Sequence, residues 1–177
     1  MRIISGKYRS IQIPMPKGGT IRPTTDRARE GLFNVLSNRF DFEDIRVLDL
    51  FAGSGSVSVE FASRGAEDII AVEKNARVVK QLKSFTAKIG IDEIKYVISD
   101  VDRFLSRYDK DPFDLVFADP PYMMPELPEL PHKVLTSGIL KPGGSFILEH
   151  HKGTKWTSVQ PSEQREYGQS VFSFFSN

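Results

Sequence analysis

Cysteine is absent from the 177-residue chain. Its absence excludes disulfides and thiolate metal sites, and it suits a cytoplasmic protein. No apolar run approaches the roughly 20 residues that cross a bilayer. The opening MRIISGKYRS lacks the unbroken apolar segment of a signal peptide. Internal repeats and low-complexity segments are missing as well. Net charge is nearly absent: 24 Lys and Arg stand against 23 Asp and Glu, for a balance of +1.

That balance conceals an asymmetry. Residues 1–30 hold seven basic side chains (Arg2, Lys7, Arg9, Lys17, Arg22, Arg27, Arg29) against Asp26 and Glu30, leaving 17 basic and 21 acidic residues for the rest. A basic end on a mildly acidic body suggests a polyanionic partner, with Arg2, Lys7, Arg9 and Arg22 as its candidate contacts. The alternative is a solvated pair of surface strands.

What is present describes an ordinary globular chain, 40% hydrophobic and 27% charged. Its length allows one full domain and a small appendage. Residues 2–14 read as a hairpin turning near Ser5-Gly6-Lys7, with Ile3, Ile11 and Ile13 apolar. A Pro/Gly-rich connector, 15–23, precedes a helix capped by Thr24 or Thr25. Residues 1–40 are thus expected to form a basic extension and 41–177 the main domain.

From residue 46 strands and helices alternate. Strands are expected at 46–51, 68–73, 95–99, 113–118 and 145–151, with a closing pair over 164–175. Helices are expected at 55–65, 75–89, 101–108 and 126–137, and KPGG (141–144) as a turn. This alternation predicts an α/β fold with a doubly wound, mostly parallel sheet.

The first strand runs into 49-DLFAGSGSVSVE-60. Ligands of open parallel sheets sit beyond the carboxyl ends of the strands, and glycine lets the backbone approach them closely. A dinucleotide fingerprint fails here, because its third small residue is replaced: Gly53-x-Gly55-x-x-Ser58. Asp49, below the turn, instead suits a ligand with an amino group. Glu73 lies 20 residues past Gly53, the distance at which a carboxylate reaches ribose hydroxyls. Asp100, after the third strand, lies where an adenine would rest, and it also reads as a helix N-cap.

The stretch 113-FDLVFADPPYMMPELPEL-130 ends a buried strand on a carboxylate, two prolines and a tyrosine. Asp119 can accept from one N–H of a nucleobase amine, and the carbonyl of Pro120 from the other. Pro121 holds Pro120 extended and so fixes that carbonyl. Tyr122 can stack on the base. Acceptors aimed at both N–H bonds favour the charge that develops when the nitrogen attacks a methyl donor.

DPPY resembles the catalytic motif of amino-methylating S-adenosylmethionine-dependent methyltransferases, and DLFAGSGSVSVE resembles their cofactor motif. More narrowly, 22-RPTTDRAREGLFNVL-36, RIISGKYRSIQIP and, more loosely, 165-REYGQSVFSFF-175 resemble segments of bacterial 16S rRNA guanine-N2 methyltransferases. The likeness covers essentially the whole chain. It implies a seven-stranded Rossmann-like methyltransferase sheet with an antiparallel closing strand and a small N-terminal hairpin and helix. It implies S-adenosylmethionine held by Asp49, the turn Phe51, Ala52, Gly53, Ser54 and Gly55, then Glu73 with Lys74 and Asp100 with Val101. Thr25 and Arg27 would lie across the cofactor mouth, with Arg22 beside them. Asp119, Pro120, Pro121 and Tyr122 would carry catalysis, on 16S rRNA or a small-subunit ribosomal particle, with no metal. The acidic MMPELPELP loop and the HHKGTKW segment depart from the pattern.

Three alternatives remain open at this stage: an adenine-N6 methylase, a protein glutamine methylase, and a non-catalytic RNA-binding module. A DNA methylase would need a target-recognition domain, and a glutamine methylase would more often carry Asn in place of Asp119. His132, His150 and His151 match no metal-ligand spacing. Trp156 and the Phe172–Phe175 cluster read as packing.

Overall fold

Hydrophobic period and glycine placement translate directly into elements. In a computed structural model that describes residues 1–15, 24–121 and 123–176, the order is α1 (Asp26–Ser37), β1 (Arg46–Leu50), α2 (Ser56–Ser63), β2 (Asp68–Glu73), α3 (Ala76–Ile89), β3 (Ile94–Ile98) and α4 (Val101–Arg107). There follow β4 (Phe113–Ala118), α5 (Leu130–Thr136), β5 (Leu140–His151), β6 (Glu163–Tyr167) and β7 (Ser170–Ser176). Most of the connector expected at 15–23 lies outside the described residues.

Among the described residues seven strands form one sheet in the order β3-β2-β1-β4-β5-β7-β6. β1 to β5 run parallel, while β7 is antiparallel to β5 and β6 antiparallel to β7. The fold is therefore the α/β doubly wound sheet expected, with an antiparallel closing pair. β1 and β4 sit at its centre, and their side chains are buried on both faces, as their continuous apolar runs require. One face packs Val47, Phe117, Ile147 and Phe172 against Leu32, Phe33 and Phe61. The other packs Leu48, Val116, Phe146 and Leu148 against Phe104, Leu130 and Val134. Each fully buried side chain of this size contributes roughly 1.5–3 kcal/mol.

Two expectations change in the stretch from α5 to β5. KPGG is not a turn between elements but lies inside β5. Phe113 pairs with Leu140, and pairing resumes at Leu115 with Ser145, so the intervening residues bulge from the ladder. Gly143, at φ +76°, supplies the left-handed step, and Lys141 crosses to Asp114 at 2.8 Å. The helix expected at 126–137 starts as a 3-10 turn (Leu127–Glu129) and becomes α-helical only from Leu130.

The amino-terminal segment folds back on itself through an Arg2–Gln12 bridge, with a turn wider than expected over 5–10. Ile3, Tyr8 and Ile13 bury in the same cluster as α1 and α2. Glu60, fully buried on α2, accepts from the amides of Ile4 (2.7 Å) and Ser5 (3.0 Å) and from Arg64 (2.7 Å). Lys7 N–H donates to Ser63 O at 2.7 Å. Gly6 is required at this junction, since a Cβ there would lie 1.7 Å from Ser63 O.

Candidate functional site

The carboxyl ends of β1 and β4 are neighbours: Leu50 and Ala118 are register partners. The glycine turn that follows Leu50 and the Asp119 that follows Ala118 therefore leave the sheet side by side. No strand intervenes, so both open on one edge, as an open α/β sheet requires of a ligand site.

The turn is shaped by three positive φ angles, at Phe51 (+62°), Gly53 (+52°) and Gly55 (+72°). For Phe51 this conformation is unusual and marks a constrained backbone. Ala52 N–H donates across to Val72 O at 2.9 Å, and Gly55 N–H to Ala52 O at 2.7 Å. A Cβ on Gly55 would lie 2.8 Å from Leu82. Gly55 is also the N-cap of α2, and Ser54 is buried beneath it.

Asp49 is buried under the turn and accepts from Ser58 N–H at 3.1 Å and from the Ser58 hydroxyl. Burial raises its carboxyl to about 7; the Ser58 contacts pull it down, and the charge of Glu73 pushes it further up. A buried carboxylate this reluctant to ionise suits an approaching cation such as an ammonium group. Glu73 accepts from Gly53 N–H at 3.1 Å and from Asn75 N–H at 2.8 Å. A carboxylate offers about four acceptor sites, so lone pairs remain for a diol. Lys74 is exposed beside it. Asp100 is exposed, caps α4 by accepting from Asp102 N–H at 3.0 Å, and precedes the buried Val101.

Asp119 is half-buried, Pro120 buried and Pro121 exposed. Burial lifts the Asp119 carboxyl well above the usual range. The charges of Glu149 and Asp49 lift it further, and the Thr24 hydroxyl draws it back. Tyr122 and Arg22 lie outside the described residues.

The amino-terminal candidates divide. Thr25 is the N-cap of α1, accepting from Ala28 N–H at 3.2 Å, with Arg27 exposed beyond it. Arg2 pairs with Asp26 at 3.3 Å. Lys7 and Arg9 lie on the turn docked at the carboxyl end of α2, the end away from Gly55. Arg29 is not a surface charge. It is fully buried, donating to Arg2 O at 2.7 Å and to Asp26 at 2.8 Å. His150 is buried against Ser173 (2.6 Å) and Thr154 (3.0 Å), and Trp156 packs edge-on between His150 and Phe175.

Two site residues escape a reading of the sequence. Thr24 donates to Glu149 at 2.6 Å, and both are buried. The signal was present only as a second threonine before α1 and a glutamate in an apolar strand. Met123, just past the Asp119–Tyr122 motif in sequence, is 91% exposed.

The residues at this edge fit S-adenosylmethionine: a turn held in left-handed backbone at Phe51, Gly53 and Gly55, a buried carboxylate below it, and a carboxylate with lone pairs to spare at the end of β2. The family model described as conserved hypothetical protein 95 matches residues 1–176. The ribosomal RNA small subunit methyltransferase D of Escherichia coli (strain K12) is 38% identical over 122 residues, 69% of this chain and 60% of that protein. Its namesake from Buchnera aphidicola subsp. Baizongia pistaciae is 30% identical over 149 residues, 84% of this chain and 75% of that one. Among solved structures, a hypothetical protein of Thermus thermophilus, TTHA0928, superposes with a TM-score of 0.88 at 32% identity, covering 100% of this chain and 99% of its own. The chain therefore belongs to the conserved hypothetical protein 95 family, the family of the ribosomal RNA small subunit methyltransferases D.

Proposed function

We propose that the protein methylates the exocyclic N2 amine of a guanine in 16S rRNA, using S-adenosylmethionine, in the cytoplasm. The observation that carries this reading is the juxtaposition of Asp119 with the glycine turn, through the Leu50–Ala118 register. Asp49 would hold the cofactor's amino group, Phe51 to Gly55 its backbone-facing side, Glu73 its ribose, and Asp100 with Val101 its base. Lys74, Thr25 and Arg27 would flank the mouth. When bound, the cofactor supplies an electrophilic methyl group on a sulfonium, which departs as a neutral thioether.

The protein's own part is to orient and deprotonate. Asp119 accepts one amine N–H and the carbonyl of Pro120 the other, turning the nitrogen lone pair toward the methyl donor. After transfer the nitrogen bears a positive charge. One N–H bond breaks, its electron pair stays on nitrogen, and the proton passes to Asp119. Tyr122 would stack on the base, and Pro121 would hold Pro120 extended and so fix its carbonyl. Arg2, Lys7, Arg9 and Arg22 would contact RNA phosphates.

The test is Asp119→Ala with labelled S-adenosylmethionine and small-subunit rRNA. Methyl transfer is expected to vanish while cofactor binding persists, and nucleoside mass spectrometry of the wild-type product should show N2-methylguanosine. Full activity in Asp119→Ala, or label on an adenine, overturns the reading.

A further inference from the structure

Two segments depart from the family pattern, the acidic 123–131 loop and the segment that begins HHKGTKW, and the fold brings them together. Ala118 and Leu148 are register partners on adjacent parallel strands. The chain beyond β4 and the chain beyond β5 therefore leave the sheet at the edge that holds Asp119 and the glycine turn. There they are clasped. Thr157 donates to Glu129 Oε1, with Pro128 O a second acceptor at 3.3 Å, and Ser158 donates to Glu129 Oε2 at 3.1 Å. Both oxygens of one carboxylate are thus gripped from 28 and 29 residues away in sequence.

Each side of this clasp is anchored. On the β5 side, Thr154 donates to His151 O at 3.0 Å, and the Trp156 ring packs edge-on against Phe175 at 5.2 Å. On the β4 side, overlapping turns lead from the motif to the clasp. Met124 N–H donates to Pro121 O at 2.8 Å, Leu127 N–H to Met124 O at 3.2 Å, and Glu129 N–H to Glu126 O at 3.0 Å. Leu127 and Leu130 are buried. Pro121 is therefore tied in both directions, to β4 through the chain and to Glu129 through the turns.

We infer that Thr157 and Ser158 are positioning residues for the amine site: by gripping Glu129 they fix the turns behind Pro121, and with them the direction of the Pro120 carbonyl. The inference rests on the assignment of Asp119 and the Pro120 carbonyl as acceptors of the amine. The two hydroxyls act through Glu129, not on substrate or cofactor. Both residues are exposed, so opening the clasp leaves the core packing intact. What it changes is aim. Misplacing an acceptor by about 1 Å can cost on the order of 100-fold in rate.

The experiment compares wild type, the double variant Thr157→Val with Ser158→Ala, and Thr157→Ser. It measures rRNA methylation, cofactor Kd by calorimetry, the thermal midpoint, and cleavage after Glu126 by a glutamate-specific protease. The double variant should lose about 10- to 100-fold in kcat and be cut faster after Glu126, with cofactor Kd and thermal midpoint unmoved. Thr157→Ser keeps the donor and should retain the wild-type rate. Faster cleavage with unchanged kcat would show that the clasp holds the loop without serving the amine, and it overturns the inference. A fall in kcat joined to weaker cofactor binding and a lower midpoint marks general loosening and is equally fatal. Should the double variant not fold, Glu129→Ala breaks the clasp from its other side and is judged by the same readouts. Asp119→Ala separates the two levels. Its full activity removes the underlying assignment, whereas its inactivity beside an unaltered double variant removes only the role given to Thr157 and Ser158.

Discussion

The amide of Gly53 donates to Glu73 Oε2 at 3.1 Å, tying the glycine turn after β1 to the carboxylate that ends β2. Asn75 N–H holds the other oxygen at 2.8 Å. The carboxylate is thus aimed before any ligand arrives, and its ordering is not charged to binding. Glu73→Ala should weaken S-adenosylmethionine by about 10- to 100-fold, the range for hydrogen bonds to a charged group. Calorimetric titration checks this, and an unchanged Kd would show that Glu73 only shapes the turn.

Asp49 makes stability depend on pH in a defined direction. Its folded-state value of about 7 lies above the ordinary carboxylate value. The folded state therefore holds a proton that the unfolded state releases. The resulting stability is fully present below the ordinary value and is lost as pH rises through about 7. Asp119 is raised too and contributes with the same sign. Denaturant midpoints should fall between about pH 4 and about pH 7, and fall less in Asp49→Asn.

Cofactor binding should carry the opposite dependence at the same residue. An ammonium group favours ionised Asp49, so binding near neutral pH should release protons and weaken as pH drops below about 7. Calorimetry in buffers of different ionisation enthalpy reads the proton count, and Asp49→Asn should abolish the Asp49 share.

The amino-terminal seam is a steric prediction of its own. Gly6 has φ +83°, and an added Cβ would meet Ser63 O at 1.7 Å. Gly6→Ala should cost about 3 kcal/mol or more through strain and overpacking. Denaturant unfolding measures it, and an unchanged midpoint would mean that the seam does not hold the turn.

Lys7 and Arg9 lie beyond the far end of α2, so any RNA they grip must reach past the cleft. Lys7→Ala with Arg9→Ala should lower affinity for small-subunit rRNA and flatten its salt dependence by about 0.7–0.9 in log–log slope per lost phosphate contact. An unaltered slope would restrict RNA contact to the mouth.

The sequence carries the sheet's frame because strand ends there coincide with glycine, proline and acidic residues, which mark a change of backbone conformation locally. Asp49, Glu73 and Asp119 can be found this way. Thr24 and Glu149 cannot: 125 residues separate them, and neither pattern announces the other. Arg29 and Glu60 mislead for a related reason. A charged residue on a helix reads as solvent-facing, yet both are buried, with Arg29 serving the backbone of Arg2 and Glu60 that of Ile4 and Ser5. The bulge at Lys141–Gly144 reads as a turn because proline and two glycines signal a bend, while resumption of the β4 ladder depends on a remote partner.

The docking of residues 3–8 onto Glu60 and Ser63 bears on how the protein can be cut. A fragment begun at residue 41 would strip two backbone donors from a carboxylate sealed from water, and would lay bare Phe61, whose ring packs against Phe33 at 4.7 Å. Such a fragment should aggregate instead of binding the nucleoside. Recombinant boundaries must therefore keep Met1 onward, even where only the cleft is of interest.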